Sequence, residues 1–367
     1  MNIDKRLNLA DMLPREKNNF DLIRLIAAIG VIFGHSFYLF QTGGYQEPVT
    51  QLVERNFTGT LSVGVFFFLS GILVTQSYVR SRSPIDFVLK RIARIYPGAV
   101  VCLLIIALVM GPLVTTLPVR KYLVDGQVYC YLSSNWTFIR IPAISESCGA
   151  LPGVFLGNRI SGVPDGSLWT LYVEIVCYAY VLAFGLLGFL TSRGRIAAAL
   201  IGLLVWHALA PHTVPYFSDD HYTDVLKVGL FFMAGVAAYA LRDIIAIRAR
   251  YAVVLIVVAA VLQHTPVQEY ALYVALFYLT LVVASSPRAL ALRLPGDYSF
   301  GVYIYAWPIQ QVVNHHFPTL TSYPSNLICI PAALLAGYLS WTFIEKPALD
   351  AAHRWAARQR QQAASVA

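Results

Sequence analysis

The sequence predicts an all-α polytopic membrane protein, a bundle of about ten transmembrane helices with both termini in the cytoplasm. Three observations carry that prediction. Of the 367 residues, 57% are hydrophobic and only 13% charged, with a mean hydropathy of +0.62. The apolar residues fall into blocks of spanning length divided by Pro, Gly and charged punctuation, and in a bilayer a helix of about 20 residues satisfies its own backbone. Placing both termini inside puts twenty of the twenty-seven Lys and Arg residues in the cytoplasm, the asymmetry that orients membrane proteins. The net charge of +8 is then a topology signal, and no nucleic-acid partner is needed to account for it.

In chain order the expected spans are approximately 20–40, 61–79, 95–117, 167–190, 195–211, 225–241, 251–264, 267–285, 298–316 and 325–345. Residues 1–19 form a cytoplasmic segment, 20–347 the membrane domain and 348–367 a polar, basic cytoplasmic tail. No A-x-A-like cleavage site follows the first apolar run, so it reads as a retained helix rather than a cleaved signal. That run carries Arg24 and His35, eleven residues apart. On a helix this spacing returns to within about 20° of the starting direction over roughly 16 Å. One face therefore holds a cation and, three turns deeper, an imidazole, and ionisable groups inside a membrane helix usually have a task.

The second span holds the aromatic run Phe66-Phe67-Phe68, then Ser70-Gly71, where Gly predicts close helix packing. Ser70 is either a packing residue or an acyl-accepting nucleophile lining a cavity. Next, Ser83 as N-cap, Pro84 at the first helical position and Asp86 in the first turn predict a short amphipathic helix. Its basic residues, Lys90, Arg91 and Arg94, serve either as an interfacial anchor or as a phosphate-binding rim. The loop 118–166 should be a structured external cap, and its Cys130 and Cys148 are a candidate disulfide pair. Cys102, Cys177 and Cys329 lie in spans and read as packing residues.

The fourth span opens on Ser167-Leu-Trp169-Thr-Leu-Tyr172-Val-Glu174. The seventh, 251–264, is the shortest. Tyr303, Tyr305, Trp307 and Pro308 in the ninth predict a kinked aromatic wall, either helix packing or a substrate platform. At the end of the tenth, Glu345-Lys346-Pro347 should close the helix, with Glu345 paired to Arg24, Arg91 or Arg94. The histidines show no metal-ligand spacing.

Helix rise puts His35 roughly 22 Å from the inner end of its span and Glu174 about 10 Å below the outer end of its own, so the two can share a level. A carboxylate beside an imidazole fixes its tautomer and raises its basicity, as a general base needs. Alternatively His35 is a core histidine bonded to a carbonyl or to Ser70, and Glu174 a buried carboxyl joining two helices. A carbohydrate transporter or flippase that uses Arg24, His35 and Glu174 as a proton relay is a reading from a different class.

Five segments in order are Phe20-Asp-Leu-Ile-Arg24 through Gly34-His35, Gly64-Val-Phe-Phe-Phe-Leu-Ser-Gly71, Phe87-Val-Leu-Lys-Arg91-Ile-Ala-Arg94-Ile-Tyr-Pro97, Ser167 to Glu174, and Tyr298-Ser-Phe-Gly-Val-Tyr-Ile-Tyr305. Together they resemble the integral-membrane acyltransferase-3 family. The resemblance implies a bacterial inner-membrane enzyme moving an acyl group, usually acetyl, from cytoplasmic acyl-CoA to a hydroxyl on an envelope or exported carbohydrate. It implies no permanently bound cofactor, with acyl-CoA as co-substrate and lipid and carbohydrate as partners. It assigns essential roles to Arg24 and His35, the basic-aromatic segment to Arg91 and Arg94, and the Trp and Glu of the fourth span to Trp169 and Glu174. Exopolysaccharide, the O-antigen of lipopolysaccharide and lipo-chitooligosaccharide all remain as acceptors, and the oligomeric state is open.

Overall fold

The computed structural model describes residues 7–53, 56–81, 83–138, 148–209, 222–265 and 267–366. The end of the expected fifth span, at residues 210–211, lies outside them. Among the described residues the chain is helical, with isolated β-bridges and no strand. The principal helices are α1 (Phe20–Leu39), α2 (Thr58–Arg80), α3 (Pro84–Ile105), α4 (Gly126–Asn135), α5 (Trp169–Leu186), α6 (Arg193–Leu209), α7 (Tyr222–Ala240), α8 (Ala249–Val261), α9 (Gln268–Ala284), α10 (Ser299–His316), α11 (Ser322–Ser340) and α12 (Lys346–Val366). Among the described residues, five helical stretches are long and apolar enough to cross a membrane: α1, α2, Pro84–Val114, α5 and Ser322–Arg358. The apolar helices from Val225 to Ala240, Ala249 to Val261 and Gln268 to Ala284 are shorter.

Two boundaries differ from the sequence reading. The amphipathic segment after Ser83 is not a separate short helix. Ser83 Oγ does accept the Asp86 N–H at 3.1 Å, but the helix then runs on through Pro97 and a π turn at Ile106–Met110 to Val114. Extending a helix costs less than nucleating a second one, and that outweighs the single N–H that Pro97 removes. Likewise Glu345-Lys346-Pro347 does not close α11. A π turn at Trp341–Glu345 shifts the hydrogen-bond register, and Pro347 falls in the first turn of α12, where a missing N–H is tolerated.

The chain divides into two compact units. The first holds the start of α1 through Val31, α2, the end of α5 from Val176, and α6 to α9. Its tightest crossing is α2 against α7. A Cβ on Gly71 would lie 2.1 Å from the Phe232 carbonyl oxygen, and one on Gly235 would lie 2.1 Å from that of Phe68. Only glycine lets the two backbones meet, so Gly71 has the packing role its position predicts. Phe68 stacks on Phe277 of α9 beside this crossing, with ring centroids 4.5 Å apart.

The second unit holds α1 from Ile32, α3, the cap, the start of α5 through Ile175, and α10 to α12. Gly301 of α10 and Gly337 of α11 give it an equivalent crossing, where a Cβ on Gly301 would lie 2.8 Å from the Gly337 Cα. The cap is built on short helices, Val119–Val124 and α4, and on the Tyr122 hydroxyl, which donates to the Ala107 carbonyl at 2.7 Å. Cys130 and Cys148 are joined in a disulfide, with Cα atoms 5.3 Å apart.

Candidate active site

α1 places Arg24 and His35 on one helix, Arg24 in the part assigned to the first unit and His35 in the part assigned to the second. Arg24 Nη1 lies 2.5 Å from Asp297 Oδ2, and the guanidinium sits 5.7 Å from the Phe66 ring centroid. Both partners are largely buried, at 18% and 10% exposure. A cation in an apolar bundle needs such a counter-charge, because desolvation without one costs several kcal/mol.

The His35 ring meets the edge of Trp307 at a centroid distance of 5.1 Å. Trp307 is itself fixed. Its indole N–H donates to the Val163 carbonyl at 2.9 Å, and Gly166 lies on the ring so closely that a Cβ there would be 2.4 Å from it. The segment around residues 163–166 is thereby folded onto the aromatic partner of His35. One turn back along α10, the Tyr303 hydroxyl pairs with Thr170 Oγ1 of α5 at 2.8 Å and lies within electrostatic reach of Glu174. Tyr303 and Trp307 are four residues apart and share a helix face. His35 thus meets α10 at Trp307, and Glu174 lies within electrostatic reach of Tyr303 one turn earlier on that helix.

Tyr305 is two residues from each of these rings and points elsewhere, within electrostatic reach of Cys102 and Glu345. The expected aromatic wall is therefore two surfaces, because positions i and i+2 of a helix do not face the same neighbour. Tyr172 is half-buried, and Trp169, the first residue of α5, is 37% exposed. Ser70 is half-buried on α2, in the first unit.

The basic segment lies on α3. Lys90 pairs with Asp86 at 2.7 Å one turn earlier. Arg91 packs over Phe87 at 6.0 Å. Arg94 is enclosed by the Phe300 and Trp341 rings at 5.6 and 5.9 Å, and its Nη1 lies 3.4 Å from Glu345 Oε2. Of the three arginines expected to pair with Glu345, the structure selects Arg94. Glu345 is fully buried, takes a 2.8 Å hydrogen bond from Ser340 Oγ, and sits in a slot floored by Gly98 and Gly301. Among the described residues, no group of three or more His, Cys, Asp or Glu side chains is arranged to hold a metal.

Residues 17–344 match the acyltransferase domain family. The chain belongs to the acyltransferase-3 family. It is a multi-pass membrane acyltransferase. The O-acetyl transferase of Shigella phage Sf6 is 27% identical over 340 residues, covering 90% of this chain and 96% of that one. Nodulation protein 10 of Rhizobium leguminosarum bv. viciae is 29% identical over 369 residues, covering 91% and 93%. No solved structure matches the chain. Asp297, which pairs with Arg24, and Gln310 and Asn326, whose side-chain amides donate to Ile32 and Ser36 on either side of His35, are among the residues of this acyltransferase that the sequence reading passed over. Gln310 and Asn326 carried a usable signal, since each is an uncharged amide inside an apolar span. Asp297 carried little, because an acid just before a span reads as ordinary boundary charge.

Proposed function

We propose that the protein is an O-acetyltransferase that moves acetyl from cytoplasmic acetyl-CoA to a hydroxyl of an envelope or exported carbohydrate. In this reading it is a ten-span protein of the bacterial inner membrane with both termini in the cytoplasm, and residues 118–166 cap its outer side. The packing of His35 against Trp307, one turn along α10 from the Tyr303 that Glu174 reaches, carries the proposal, and the phage relative, named as an O-acetyl transferase, supports the acetyl group and the oxygen acceptor.

A sugar hydroxyl is a weak nucleophile at neutral pH. His35 takes its proton as the oxygen attacks the thioester carbonyl, with Glu174 steadying the charge that develops on the imidazole. Collapse of the tetrahedral adduct breaks the C–S bond, and the departing thiolate recovers the proton from His35, leaving the ester and free CoA. Arg91 and Arg94 hold the CoA phosphates, to which a guanidinium fork is matched. Arg24, keyed to Asp297, fixes the foot of the helix that carries His35. Trp307 sets the orientation of the imidazole edge-on.

Replacing His35→Ala should lower acetylation of the surface glycan at least about 100-fold, read by mass spectrometry, with the protein still present in the membrane at its normal level. Retained acetylation removes His35 from the chemistry. A glycan that stays unexported in deletion cells, rather than exported without acetyl, points to transport instead.

A further inference from the structure

Two buried side-chain amides converge on the turn of α1 that carries His35. Gln310 of α10 is fully buried, and its Nε2 donates to the Ile32 carbonyl at 2.8 Å. Asn326 of α11 is 8% exposed, and its Nδ2 donates to Ser36 Oγ at 3.0 Å and to the Ser322 carbonyl at 2.9 Å. Ile32 and Ser36 are the two ends of a single helical turn, with His35 between them. The NH2 halves of both amides are thus used to hold that turn. Their oxygens are not. Gln310 Oε1 and Asn326 Oδ1 are buried acceptors that receive no hydrogen bond among the described residues.

Buried polar atoms are nearly always bonded, and one that is not marks a place for water or a ligand. Here two such atoms share one chemical sign, since both can only accept. Of the substrates in the proposed reaction, the phosphates of CoA and the thioester carbonyl are acceptors too and cannot satisfy them, and the pantetheine arm of CoA brings only two amide N–H groups and one hydroxyl. The carbohydrate is the substrate rich in O–H donors. We infer that Gln310 and Asn326 form an acceptor subsite that binds hydroxyls of the carbohydrate beside His35 and thereby selects which hydroxyl is presented to it. This inference rests on the reading that a glycan alcohol is the acceptor.

The test uses the purified full chain in lipid nanodiscs, acetyl-CoA as donor and, as acceptor probe, surface glycan extracted from cells lacking the protein. Gln310→Met and Asn326→Leu should each raise the KM for this glycan about tenfold or more, while the KM for acetyl-CoA stays within twofold. In their neutral acid form Gln310→Glu and Asn326→Asp keep both a donor for the His35 turn and an acceptor oxygen, and should stay near the parental glycan KM. An unchanged glycan KM in folded Gln310→Met and Asn326→Leu overturns the inference, a buried water then being the partner of both oxygens. Equal loss for glycan and acetyl-CoA overturns it as well, since that is the signature of packing alone. If the apolar variants do not fold, Gln310→Glu and Asn326→Asp decide, a retained glycan KM supporting the subsite and a raised one overturning it. Unmodified protein that transfers no acetyl to the glycan contradicts the proposed function itself, an outcome distinct from all of these.

Discussion

Arg24–Asp297 in the first unit and Arg94–Glu345 in the second solve the same problem, a guanidinium held among apolar helices, in different ways. The Arg24 pair is close, at 2.5 Å, and retains some exposure on both sides. The Arg94 pair is longer, at 3.4 Å, and its carboxylate is sealed from solvent, bonded by Ser340 and bordered by glycines. A short, partly wet pair is an anchor whose arginine is committed to its carboxylate. The longer pair is flanked instead by the Phe300 and Trp341 rings, and in the proposed function this arginine is the one that takes a phosphate. The cap supplies a third case, a carboxylate faced by a neutral phenol. Asp165 accepts a hydrogen bond from Tyr131, and burial pushes its carboxyl up to about 6 although that bond pulls the other way.

The largest difference should appear on removing each carboxylate. Glu345→Ala should destabilise the purified protein by about 3–5 kcal/mol, because it strips the counter-charge from a buried arginine. Asp297→Ala should cost less, about 2–3 kcal/mol, since both side chains of that pair keep a small exposure. Denaturation in detergent reads both, and equal losses would break the contrast.

Phosphate recognition sharpens it next. Arg94→Lys keeps the charge but loses the planar fork, so acetyl-CoA binding, read by titration calorimetry, should weaken about tenfold. Arg24→Lys should change it by less than about threefold. The reverse order would make Arg24 the phosphate ligand.

Glycine substitutions probe the walls of the two surroundings. Gly301→Ala drives a methyl to 2.8 Å from the Gly337 Cα and 3.1 Å from Glu345 Oε1, where backbone must move. A loss of about 1–3 kcal/mol is expected. Gly30→Ala, in the first unit, meets the Ser62 hydroxyl at 2.3 Å, a group that can rotate away, and should cost less than Gly301→Ala in the same melting assay.

A fourth contrast is the pH dependence of the cap. The folded-state pKa of Asp165, about 6, lies above its ordinary value of 3.8, so the folded cap binds this proton more tightly than the unfolded chain does. Its contribution is complete below about pH 4 and is lost as pH rises through about 6. Thermal midpoints measured across that range should fall with rising pH, and Asp165→Asn should flatten the slope. An unchanged slope would mean that the cap carboxylate is not buried in solution.

The resemblance to the acyltransferase-3 family was legible in five short segments, and the family match over residues 17–344 bears it out. The helices were legible too, because hydropathy and N-capping act within a few residues of one another. Both places where helix ends were misjudged involve a π turn or an internal proline, at Pro97 and at Trp341–Glu345, where local stop signals were overridden by helix continuation. The candidate site was legible only in part. Arg24, His35 and Glu174 stood out as ionisable residues in apolar runs, but sequence could not say that His35 would meet Trp307 or that Glu174 would lie near Tyr303.

What the sequence determined by itself is the all-helical membrane class and the positions of the ionisable residues in its apolar runs, because backbone satisfaction and apolar transfer are local and additive. Only the tertiary structure decided which carboxylate answers which cation, which aromatic ring faces the imidazole, and which amide oxygens are left without a donor. Those choices join residues as far apart as Arg24 and Asp297, or Ile32 and Gln310. A charge or an amide in sequence has many eligible partners, and only packing selects among them.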